Sequence, residues 1–200
     1  MKLNKYLLFI NKYLLIFASK YFKMKTKTEI VLTVLKYLAL LGSIGFSIEC
    51  GAQLVFFVTS FVRPELAVRV YKANAEWIQV SNFSIIYFSI GMTLVILISV
   101  FKATIWYLIF VLLQKIQIHT PFSMAVTKRL EMLAYLLLAI WIFSGIFLKT
   151  YFHYLAADSG INLQIMESAD EYFFIAGIVY IISQIFKRGI EMQEENQLTV

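Results

Sequence analysis

Charge and chain-breaking residues are scarce in this sequence of 200 residues: 15% are Asp, Glu, Lys or Arg, and there are two prolines, eight glycines, two histidines and one cysteine. A soluble domain carries roughly 25% charged residues, so there is too little charge here to clothe a water-facing surface. The lone Cys50 excludes an internal disulfide and any zinc or iron–sulfur centre built on several cysteines. It reads as a small apolar residue of a helix. His119 and His153 fall on opposite sides of the topology derived below, which leaves neither a histidine partner for a metal. No His-Glu-x-x-His helix, Gly-x-Ser-x-Gly elbow, phosphate-binding glycine loop or close aspartate pair occurs. The expectation is a non-enzymatic protein without a cofactor, since an enzyme acting through Glu131 or His119 would need a pocket that no motif announces.

What the sequence has instead is apolar length. Hydrophobic residues make up 60% of it, in runs longer than buried strands or core helices require. Four spans follow, at about residues 30–61, 83–113, 132–148 and 168–186. Thr28 and Glu29 open the first span, and Arg63 with Pro64 closes it. Between the first two spans, Glu65, Arg69, Lys72 and Glu76 recur on one helical face with Leu66, Val70, Trp77 and Ile78 elsewhere, which predicts an external surface helix beginning at Pro64. Thr120-Pro121-Phe122-Ser123 is a helix-start signal with Ser123 as N-cap, and Ser168 and Glu171 are spaced as a capping box for the fourth span. After Lys149 a loop holding Asp158, Glu167, Asp170 and Glu171 is expected. The fold class is therefore all-α, an integral membrane four-helix transmembrane bundle with cytoplasmic helix extensions and an N-terminal amphipathic helix.

Basic residues orient it. Twelve of the Lys and Arg fall in flanks and loops on one side and four (Arg63, Arg69, Lys72 and Lys149) on the other, which puts both termini in the cytoplasm. Residues 1–27 form the arm, 28–188 the four-span domain and 189–200 a cytoplasmic tail. Within the arm, Asn-Lys-Tyr-Leu-Leu-Phe-Ile at residues 4–10 is followed by Asn-Lys-Tyr-Leu-Leu-Ile-Phe at 11–17. On a helix its lysines gather on one face, suited to an anionic leaflet. Two readings stand side by side: such a surface helix, or an extension upstream of a start at Met24. Without residues 1–23 the basic count is seven against four, and the orientation is unchanged. The +6 net charge is absorbed by these flanks, so direct contact with nucleic acid is not expected.

Three ionisable residues lie in or beside the spans: Lys36, Glu49 and Lys102. Residues of this kind snorkel to an interface, pair, or face a bundle interior. Counted from the span ends, Lys36 and Lys102 belong near the cytoplasmic surface and Glu49 near the outer one. Ser43, Ser47 and Gly51 form a small-residue stripe expected to let another helix pack closely, as a packing face and not a site; the partners expected are the lipid bilayer and a cytosolic regulator, with a homo-oligomer left open. The most distinctive local sequence is the tail, Phe186-Lys187-Arg188-Gly189 followed by Gln193-Glu194-Glu195-Asn196-Gln197-Leu198-Thr199-Val200. Together with Pro121-Phe122-Ser123, it resembles the bacterial membrane family catalogued as domain of unknown function 2975, over roughly residues 24–200. That resemblance implies four spans in the bacterial cytoplasmic membrane and a small helix-turn-helix transcription regulator as a frequent genomic neighbour; it implies no activity. The leading expectation is a regulatory, partner-binding membrane protein whose cytoplasmic face combines Pro121, Phe122, Ser123, Arg188, Gly189, Glu195, Asn196, Leu198, Thr199 and Val200. The alternative is a small transporter or channel subunit using Lys102 and Glu49.

Overall fold

A computed structural model describes residues 27–70, 75–115, 123–163 and 169–198. Within them the chain is helical, with no strand among the described residues. Helix α1 (Lys27–Val62) starts with Glu29 in its first turn, where a carboxylate meets the positive end of the helix dipole. It stops before Pro64, which has no N–H to donate and restricts the residue before it. Pro64 then serves as the first residue of α2 (Pro64–Val70), and α3 (Ala75–Phe83) follows. The single surface helix read from the sequence is thus described as two short ones, with Lys72 outside the described residues. From α3 the chain passes almost directly into α4 (Ile85–Lys115), because the amide of Ser84 donates to Val80 and that of Phe88 to Ser84, at 2.9 and 3.0 Å.

The third span is longer than its apolar run. Helix α5 (Met124–Ile140) begins where Ser123 caps it in an extended conformation, its hydroxyl accepting from the Val126 amide at 3.4 Å. A π-helical segment, Trp141–Leu148, continues it into α6 (Lys149–Ser159). The loop expected after Lys149 is therefore corrected to helix as far as Ser159. Tyr151 and Leu155, four residues apart and both buried, keep one face of α6 against the core while His153 and Asp158 stay exposed. Gly160 ends α6 at φ +72°, a left-handed turn that glycine adopts without a Cβ penalty, and its amide caps the Ala156 carbonyl at 2.9 Å. Helix α7 (Asp170–Leu198) closes the chain; Ser168 of the expected capping box lies outside the described residues.

Four helices, Lys27–Val62, Ile85–Gln114, Met124–Ser159 and Asp170–Asn196, are long and apolar enough to cross a membrane. They pack in chain order: α1 on α4, α4 on α5 and the π segment, and α5 on α7. We call the end carrying Lys27 and Leu198 proximal and the other distal. Phe56, Phe88, Met92, Ile140 and Leu155 lie at the centre of the core. Outside it, large apolar side chains stay uncovered, as on α1 (Ile48, 68% exposed) and α7 (Phe174, 70% exposed). In water such a surface would be a liability; in a bilayer it is the lipid-facing belt.

Candidate functional site

The register of α1 against α4 places the polar side chains of the bundle. The two helices run antiparallel: the Lys36 ammonium lies 5.8 Å from the Phe110 ring, Phe46 stacks on Trp106 at 6.1 Å, and Phe57 stacks on Phe88 at 5.8 Å. Between these contacts the Ser99 hydroxyl donates to Gln53 Oε1 at 2.7 Å, and Gln53 Nε2 faces Glu49 Oε1 at 3.4 Å. Ser99 is 3% exposed and Glu49 is exposed. One helical turn from Gln53 towards the proximal end is Glu49; the matching step on α4, from Ser99, arrives beside Lys102. The structure therefore brings Glu49 and Lys102 to one level, where the sequence put them near opposite surfaces. That expectation counted depth from the apolar start of α1, but a helix of 36 residues exceeds the bilayer and its start marks no boundary. At 1.5 Å per residue, Glu49 stands roughly 20 Å from Lys36 and roughly 21 Å from Arg63, midway between these two charged residues.

The small-residue stripe is used within the chain at Ser43 alone, which is buried. Ser47 is exposed and bonds back to the Ser43 carbonyl at 2.7 Å, and a Cβ on Gly51 would meet nothing within 4 Å. Steps of four residues turn about 40° each, so the stripe winds away from the α4 contact. The close approach falls instead at Gly42, where a Cβ would lie 2.5 Å from the Trp106 indole.

At the proximal end, Arg129 on α5 donates to the Val111 carbonyl in the last turns of α4 at 3.1 Å, and Gln184 on α7 donates to Glu131 on α5 at 3.3 Å. Beyond Phe186, where the apolar run ends, α7 continues as helix through Leu198. Arg188 bonds Glu191 at 2.8 Å and stands 3.9 Å from Glu195, a ladder along one face. Gly189 and Asn196 lie within this extension. Pro121, Phe122, Thr199 and Val200, together with His119, lie outside the described residues, as does the side chain of Leu198. Ser123 and Arg188 are both at the proximal end, on different helices. Among the described residues no group of three or more His, Cys, Asp or Glu could hold a metal ion.

The distal end holds a cluster that the sequence reading missed. Trp77 of α3 stacks on Tyr151 of α6 at 6.4 Å and 13°, over Gly91 of α4, where a Cβ would lie 2.6 Å from both rings. The Tyr151 hydroxyl donates to the Tyr87 carbonyl at 2.8 Å, the Tyr87 hydroxyl donates to Asp158, and Lys149 pairs with Asp170 at 3.8 Å. Between α5 and α7, Ala134, Tyr135, Leu138, Phe173, Gly177 and Ile181 line an apolar groove of about 500 Å³. Gln53 and Ser99 were missed as well. Their signal was available, a polar amide and a hydroxyl inside otherwise apolar runs.

Four apolar helices in antiparallel contact and a predominantly apolar outer surface define an all-α, four-span integral membrane protein. Residues 64–200 match the family described as Protein of unknown function (DUF2975), and the chain belongs to it. The match begins at Pro64, so α1 lies outside it, where the sequence resemblance reached back to residue 24. No curated protein and no solved structure matches the chain.

Proposed function

We propose that this is a non-enzymatic, regulatory membrane protein of the bacterial cytoplasmic membrane, with both ends in the cytosol, that holds a cytosolic partner on its proximal face. The observation that carries the proposal is the prolongation of α7 by twelve residues past Phe186, as a helix stiffened by the Arg188, Glu191 and Glu195 ladder. A lipid-embedded span has no need of about 18 Å of polar helix beyond its apolar run; a docking element does. The basic flanks support the cytosolic orientation, and the resemblance implies a candidate partner, a small helix-turn-helix regulator of the kind that is a frequent genomic neighbour in the family. In co-purification of that regulator with the membrane protein, a chain ending at Arg188 is expected to retain at least tenfold less than the full chain. Equal capture by the two would sink the proposal.

A transport role is the second reading, and the Glu49, Gln53 and Ser99 ladder level with Lys102 favours it. It requires flux in liposomes that Glu49→Leu and Lys102→Leu abolish. Absent flux, or flux unchanged in both variants, counts against it.

A further inference from the structure

Glu49 is out of place for a helix that faces only lipid. It sits on an exposed flank of α1, between Lys36, roughly 20 Å away along the helix, and Arg63, roughly 21 Å away, so that even a long side chain carries its carboxyl to neither of these charged levels. A carboxyl group in that position costs several kcal/mol unless protein or water covers it. Its hydrogen bond within the chain is the long one to Gln53, at 3.4 Å. The second N–H of the Gln53 amide has no bond among the described residues. Among the described helices, α1 is also at the end of the packing order and keeps few buried side chains, namely Ala39, Ser43, Phe56 and Ser60. Gly45 and Ala52, one turn either side of Glu49, are exposed, and a Cβ on Gly45 would meet nothing within 4 Å, so a second backbone can come close at this level.

We propose that this flank of α1 is covered by α1 of a second copy of the chain, with the Glu49 carboxyl of each copy hydrogen-bonded to the Gln53 amide of the other. The occupant follows from depth and donor chemistry. A foreign helix would have to carry a donor at this one level by coincidence. Two copies inserted in the same orientation and related by an axis along the membrane normal bring the two Glu49 residues to one level and the two Gln53 residues to a level one helical turn away, the same offset that each Gln53 amide already bridges to Glu49 of its own chain. Each copy then offers both an acceptor and a donor. The proposal is independent of which end faces the cytosol and of what the tail binds.

The test uses the purified full chain reconstituted in liposomes, where no other protein is present, with Cys50→Ser as background. Oxidative cross-linking of Ala52→Cys is expected to give a species of twice the chain mass, at least tenfold more than Leu54→Cys on the opposite side of α1. Adding Glu49→Leu to Ala52→Cys is expected to lower the yield about tenfold. Glu49→Gln, whose amide both donates and accepts, is expected to keep it. Equal yields at positions 52 and 54 would mean random collision and overturn the proposal, as would no dimer at all, which would leave α1 to lipid. A yield unmoved by Glu49→Leu would also overturn it. Helical circular dichroism equal to that of the parent shows that a lost cross-link is not a lost fold.

Discussion

Gly91 shows how one missing side chain organises the distal end. The rings of Trp77 and Tyr151 occupy the space that a Cβ would take, and through them α3 and α6 are held on α4. Gly91→Ala is expected to cost about 1–3 kcal/mol, the range for overpacking a filled interior, read as a lower Tm in detergent micelles. At the seam of α1 and α4, Ser99→Ala removes a hydrogen bond between spans. The expected loss is roughly 0.5–2 kcal/mol, measured the same way. The sequence announced Glu49 and Lys102 because charge in an apolar run is conspicuous. It did not announce their common level, which depends on the Gln53–Ser99 register and so on how two separate helices slide past each other. Gly91 was illegible for the same reason: its role is set by a tryptophan 14 residues earlier and a tyrosine 60 residues later, which only packing brings together.

Helix starts were more legible than helix ends. Ser123 was readable as the N-cap of α5 because its hydroxyl acts on an amide three residues away, a local matter. Ser123→Ala is expected to destabilise the α5 start by about 1 kcal/mol, seen as faster amide exchange over residues 124–127 with the rest of the helix unchanged. The extent of α5 through α6 was not readable, since its last turns are polar on the outside and are held by Tyr151 and Leu155 against distant partners. Nor was the π segment Trp141–Leu148, which nothing in its composition separates from an ordinary apolar helix. Its neighbours are α4, α5, α6 and α7. Gly145 within it faces Ala169, with 3.3 Å between that side chain and the position of a Cβ. Wider helical turns of this kind recur at functional sites, and here the segment joins the core half of the third span to its distal half.

For the molecule as a whole, the four spans and their antiparallel order follow from hydrophobic length, which acts through the bilayer and needs no tertiary contact to be read. The order of packing puts each span on its chain neighbour, including α1 on α4, although α2 and α3 intervene between them. The length of α1 and the projection of α7 past its apolar run follow the sequence reading, whereas the helical continuation of α5 as far as Ser159 came as a correction. The proposed function rests on that projection reaching the cytosol. The most direct measurement labels a single cysteine introduced as Asn196→Cys, in the Cys50→Ser background, with a membrane-impermeant maleimide. Labelling of inside-out vesicles and not of intact cells is the result the proposal requires, whereas labelling of intact cells would put the α7 extension outside and contradict it.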